Sequence, residues 1–167
     1  MIYGAINEKG EAYYTDLKKV FDSIGNRQME YNWLITDCVC YPDNPKTDAM
    51  LRKQYCWISG EDLTRLVHAE DFQWIWAVLC GFDKTVALSE IQRYGLPYAE
   101  DYEGFWKTPL TMQHPLAKIE IVPWDSSATL IFSRSKDVID DFMQYYPQSE
   151  NLEDYIRRLS DSKKRAN

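Results

Sequence analysis

Four cysteines, two histidines and a few clustered carboxylates and serines are the groups in this chain whose types could do chemistry. Cys38 and Cys40 stand two positions apart, so on a strand they share a face. Two thiols side by side are soft metal ligands, and a structural zinc site is one reading of them. The common zinc pairs, however, are separated by about two to four residues, and here only Val39 intervenes. All four cysteines, Cys56 and Cys80 included, lie in apolar, strand-like runs. That placement fits free thiols acting as small buried hydrophobes in a reducing compartment. His68 falls one position beyond the stripe Leu63, Leu66, Val67, and His114 precedes Pro115. A pairing of Cys56 or Cys80 with His68 would supply the nucleophile and base of a small hydrolase or transferase. Such a pair exists only if the fold assembles it, and the sequence assigns no catalytic residue and no metal ligand.

Asp125, Ser126 and Ser127 offer hydroxyls beside a carboxylate. A nucleophile elbow needs flanking glycines, and none is present, so turn formation through side-chain-to-backbone hydrogen bonds is the expected role. Glu100, Asp101 and Glu103 lack the alternating oxygen ligands and the central glycine of a calcium loop. The seven glycines are scattered, so neither a phosphate-cradling loop nor a dinucleotide fingerprint occurs, and no cofactor is implied.

The acidic run lies in the segment Leu96–Pro115, where periodicity fails. Pro97, Gly104, Pro109 and Pro115 punctuate it, and Tyr98, Tyr102, Phe105 and Trp106 are interleaved with the acids. A segment this long without regular structure is uncommon unless it has a task. The candidate partner-binding residues are therefore Tyr98, Glu100, Asp101, Tyr102, Glu103, Phe105 and Trp106: carboxylates to steer a basic partner and aromatics to anchor it. The competing reading is a tacked-down crossover whose aromatics pack inward.

The elements that must position these groups centre on Lys118–Tyr146: strand Lys118–Val122, a corner at Pro123–Ser127, strand Ala128–Phe132, and a helix Ser135–Tyr146 stopped by Pro147. Pro123 belongs at a strand end or edge. Ahead of this unit the pattern predicts a strand at Ile2–Asn7 and a helix at Ala12–Ile24. A strand follows at Glu30–Tyr41, with Trp33, Ile35 and Asp37 on one face and Leu34, Thr36, Cys38 and Cys40 on the other. A loop at Asp43–Lys46, a helical turn at Asp48–Lys53 and a strand at Tyr55–Ile58 come next. Ser59 caps a helix burying Leu63, Leu66 and Val67. Phe72–Phe82 is an apolar run covered on both faces, and Leu88–Tyr94 is a short helix. Asn151–Leu159 is a last helix, and residues 160–167 form a polar tail expected to fray.

At 167 residues, 45% hydrophobic and 27% charged, the chain suits one domain over 1–159 with a real core. Its net charge of −7 argues against a nucleic-acid surface, since phosphate contacts want clustered Lys and Arg, and it favours a basic protein partner. Met1–Ala5 does not read as a signal peptide, no stretch has membrane-spanning length, and the cytoplasm is the expected location.

The succession Tyr31-Asn32-Trp33, Trp57-Ile58-Ser59-Gly60, Tyr102 to Trp106 and Trp124-Asp125-Ser126-Ser127 resembles a group of small uncharacterised cytoplasmic proteins of Gram-positive bacteria. The resemblance implies an α+β domain and transfers no catalytic residue. In its acidic, aromatic character the chain is also similar to immunity proteins that neutralise toxins. The expectation is an α+β fold with a mixed or antiparallel sheet of five or six strands covered by helices. Its expected role is that of a non-catalytic binding module, sharpest as an immunity-type inhibitor of a basic toxin.

Overall fold

The computed structural model describes residues 1–166. Its strands are β1 (Tyr3–Asn7), β2 (Tyr31–Cys40), β3 (Tyr55–Ser59), β4 (Trp74–Asp83), β5 (Ile119–Trp124), β6 (Ala128–Ser133) and β7 (Glu150–Asn151). They form one sheet in the order β3-β2-β4-β5-β6-β1-β7. Every neighbouring pair is antiparallel. The fold is thus α+β, with seven strands where five or six were expected. The extra strand is the two-residue β7, which pairs with Ala5 and Ile6 and is too short to carry a periodic signal.

The helices are α1 (Leu17–Ser23), α2 (Pro45–Leu51), α3 (Gly60–Ala69), α4 (Leu88–Ile91), α5 (Lys136–Tyr145) and α6 (Leu152–Arg165). One sheet face packs Trp33, Ile35, Leu79, Ile119, Ile121 and Ile131 against Leu17, Phe21, Leu63, Val67, Val138 and Phe142 of α1, α3 and α5. The opposite face, bearing Leu34, Val78, Cys80, Phe82, Val122 and Phe132, is covered differently. There the long segment after α4 supplies Ala99, Phe105, Leu110 and Met112, and α6 supplies Leu152 and Ile156. No helix among the described residues is long and apolar enough to cross a membrane.

Several boundaries move for identifiable reasons. α1 begins at Leu17 because Asp16 is its N-cap, accepting from the Lys19 amide. Thr15 exchanges backbone hydrogen bonds with Trp74 instead of entering a helix. α2 starts at Pro45, inside the expected loop, because the Asn44 side chain caps it and proline suits the first helical position. Ser59 caps α3 as expected, accepting from the Asp62 amide. Gly60 is obligatory there: an added Cβ would lie 2.0 Å from the Gln28 carbonyl oxygen. α6 runs on to Arg165, through residues expected to fray, with Lys163, Lys164 and Arg165 in its last turn where the helix dipole favours cations. Pro123 stands opposite Thr129 in the β5–β6 ladder, beyond the point where pairing of β5 with β4 ends at Ile121, so its missing N–H costs no bond there.

The largest departure lies inside β2. Asp37 has φ 50, and the pairing with β4 shifts register between Thr36 and Val39 and again between Val39 and Cys40. A bulge of this kind reverses the alternation of the strand beyond it. Cys38 and Cys40 therefore join the face of Trp33 and Ile35, opposite to the expected face, and Asp37 is freed to turn toward the covering segment.

Candidate partner-binding surface

The covering segment is fastened to the sheet by three side chains. The Asp37 carboxylate accepts hydrogen bonds from the amides of Ala99 at 2.7 Å and Glu100 at 3.3 Å. Gln113 holds both sides of Tyr98: its Oε1 accepts from the Tyr98 amide at 3.1 Å, and its Nε2 donates to the Tyr98 carbonyl at 2.7 Å. The Gln113 amide in turn donates to Glu120 Oε2 at 3.0 Å. Between these anchors the chain turns sharply, Tyr102 N–H donating to the Ala99 carbonyl and Asp101 taking φ 63.

The aromatics make a ladder from the core to the surface. Phe105 packs 5.9 Å from Phe132 and edge-on to Trp124; Tyr102 stands edge-on to Phe105 at 4.7 Å; Tyr98 stands edge-on to Tyr102 at 5.2 Å. Gly104 permits this stack, since a Cβ there would strike the Tyr102 ring at 2.3 Å. Tyr98 is 50% exposed and Phe105 is 0% exposed.

The seven residues predicted from the sequence thus divide. Tyr98, Glu100, Asp101 and Glu103 are exposed, and Tyr102 is half-buried beside them. Tyr98, Asp101, Tyr102 and Glu103 line one shallow, open depression of about 530 Å³. Phe105 is corrected: it is wholly inside the core and offers a partner nothing to touch. Trp106 is half-buried against Trp124 and Tyr155, and lines a separate depression beside α6. The 3-10 turn Glu103–Trp106 brings Lys107 to 3.7 Å from Glu103, a long and exposed ion pair worth little.

Glu120 was missed by the sequence reading. It alternates with Ile119 and Ile121, a pattern that on a half-solvated sheet would place it in water. Because the covering segment closes that face, it is fully buried, its Oε1 has no hydrogen-bond partner, and Cys80 Sγ lies 3.7 Å from its Oε2. Burial pushes its carboxyl up from 4.5 to about 7, against the opposing pull of the Gln113 amide.

The other chemistry considered is not assembled. His68 is exposed on α3. His114 is buried, its Nε2 3.0 Å from the Ile91 carbonyl and its Nδ1 accepting from the Leu116 amide, so both ring nitrogens are engaged. Burial lowers its pKa and keeps the ring neutral. Neither imidazole is hydrogen-bonded to a thiol. Cys38 and Cys40 do meet, but no cluster of three or more His, Cys, Asp or Glu positioned for a metal occurs among the described residues. Asp125 and Ser126 (φ 47 and 55) form the tight β5–β6 turn, closed by Ser127 N–H donating to the Trp124 carbonyl at 2.9 Å. The Ser127 hydroxyl donates to the same carbonyl, so these serines serve the turn.

No family model matches the chain, and neither the curated proteins nor the solved structures contain a match to it.

Proposed function

We propose that this protein is a non-catalytic binding module that takes up a basic protein partner on the rim formed by Tyr98, Glu100, Asp101, Tyr102 and Glu103. The observation that carries the reading is the fastening of this rim by Asp37 and Gln113. A surface already held in one conformation loses little entropy on binding. Glu100, Asp101 and Glu103 stand exposed around a half-exposed tyrosine, with Lys107, in a weak exposed pair with Glu103, as the counter-charge lining the depression. Carboxylates so placed raise the encounter rate with a cationic surface, and an aromatic side chain with few rotatable bonds gives it an anchor. The overall charge of −7 acts in the same direction. An immunity-type inhibitor neutralising a basic toxin in the cytoplasm is the sharpest form of this function.

The test is affinity capture from the source cells at low and high salt, using the wild type and the triple variant Glu100→Lys, Asp101→Lys, Glu103→Lys. The expected result is a basic protein retained by the wild type, released by salt and lost by the variant. Capture that the charge reversal leaves unchanged overturns the rim as the binding surface.

A further inference from the structure

The two thiols on β2 are placed for chemistry of their own. Cys38 Sγ and Cys40 Sγ lie 3.6 Å apart, in contact: two positions apart they share a side of the strand, and the bulge at Asp37 turns that side onto the face of Trp33 and Ile35. β3 pairs with β2 only from Asn32 to Thr36, so beyond the bulge β2 has lost its neighbour on that side. Pairing with β4 is interrupted on both sides of Val39. A strand freed from one ladder and already out of register with the other can absorb the small backbone shift that bridging neighbours two apart requires. Val39 and Tyr41 are exposed at 38% and 68% and Cys38 is partly exposed, so this end of the strand reaches the surface at Cys38, while Cys40 is buried, 7% exposed.

We propose that Cys38 and Cys40 are a redox-active dithiol that closes to an intrastrand disulfide on reaction with a hydroperoxide. Either thiol can donate in the bond between them, so removal of one proton from the pair leaves a thiolate held by its neighbour's S–H. That thiolate attacks the terminal peroxide oxygen. The O–O bond breaks, and the departing oxygen takes up a proton to leave as an alcohol, or as water from hydrogen peroxide. The attacking cysteine is left as a sulfenic acid. The neighbouring thiol then attacks that sulfur, the S–S bond forms, the S–O bond breaks, and the hydroxide leaves as water with that thiol's proton. Two thiols are oxidised by two electrons in total and one peroxide is reduced. A bridge between such close neighbours is strained, which makes it readily reversed by a dithiol reductant.

The remaining thiols set the contrast. Cys56 is buried and its thiol is pushed up by burial to about 11. Cys80 is wholly buried against Glu120, with its pKa raised well above the ordinary value. Neither has a thiol neighbour in hydrogen-bond contact.

The experiment treats the reduced, folded full-length protein with hydrogen peroxide, quenches with acid, alkylates the remaining thiols in denaturant and maps the peptides by mass. The expected product is a peptide carrying both Cys38 and Cys40, unalkylated and lighter by about 2 Da, restored by dithiothreitol, with Cys56 and Cys80 still alkylated. Cys38→Ser and Cys40→Ser should each abolish that product. Over-oxidation of either thiol without the bridged peptide, a bridge between two chains, or a bridge formed only in denaturant overturns the proposal.

Discussion

The Asp37 carboxylate lies 2.7 Å from the Ala99 amide nitrogen, joining a bulge on β2 to the turn that presents the acidic rim. The bond exists because Asp37 takes φ 50, a left-handed conformation that aspartate tolerates better than most residues. Asp37→Ala removes a charged acceptor from two amides and adds backbone strain. Because Asp37 is solvent-exposed, the loss belongs at the lower end of the range for such bonds, about 1–2 kcal/mol. The expected outcome is roughly tenfold faster hydrogen exchange at Ala99 and Glu100, with little change at Leu79 or Ile121 in the inner sheet. Asp37→Asn, which keeps both an acceptor and the left-handed preference, should lose less protection than Asp37→Ala.

That bond also marks where the sequence stops being legible. Alternation along Glu30–Tyr41 places Trp33 and Ile35 correctly, and it would have placed Cys38 and Cys40 with Leu34 had the strand stayed regular. The bulge that reverses them is encoded in a single φ value at Asp37, which periodicity cannot see. The strands with strong alternation or long apolar runs, and the helix capped by Ser59, fall where the pattern puts them. The segment Leu96–Pro115 was recognisable as unusual, but its fastening depends on the distant Asp37 and on Gln113 reaching back to Tyr98 and across to Glu120, contacts that only the tertiary structure creates. For the same reason Phe105 could not be told from Tyr98: both are aromatics in an aperiodic stretch, and only the ladder onto Phe132 separates them.

Phe105 and Tyr98 therefore give a paired test of what the segment does. Phe105→Ala opens a cavity beneath the covering segment and should cost about 3–5 kcal/mol, lowering the thermal midpoint by roughly 10 °C. Tyr98→Ala removes a half-exposed ring and should change stability by less than about 1 kcal/mol, while weakening capture of the basic partner proposed for the rim. Thermal melts of the two variants read out the difference.

Glu120 makes stability depend on pH. Its carboxyl ionises at about 7 in the folded chain, against an ordinary value of 4.5. A raised acid binds its proton more tightly when folded, so its stabilising contribution is complete below pH 4.5 and is lost as pH rises through about 7. The full difference is about 3 kcal/mol. Glu120→Gln removes the titration while keeping a carbonyl oxygen for the Gln113 amide. Urea denaturation of the two proteins should show the variant gaining on the wild type by up to about 3 kcal/mol between pH 5 and pH 8. A gap between them that does not change with pH would show that Glu120 is not the titrating group.

The β5–β6 turn offers a stabilising change. Asp125 and Ser126 both have positive φ, the central pair of a type I′ turn, for which Asp-Gly is preferred, set within the three-residue loop that joins Trp124 to Ala128. Ser126 bears a Cβ at φ 55, where glycine has no steric penalty. Its side chain makes no hydrogen bond holding the turn; the Ser127 amide and hydroxyl do that, and the Ser126 amide that donates to the Ile75 carbonyl survives the substitution. Ser126→Gly should therefore raise stability by about 0.5–1 kcal/mol, a gain of a few degrees in the thermal midpoint. Ser127→Gly at the next position removes the hydroxyl bond without relieving any positive φ, and should lower stability instead. Opposite signs for two adjacent Ser→Gly changes, read by differential scanning calorimetry, would tie the effect to the backbone conformation of Ser126 rather than to serine loss in general.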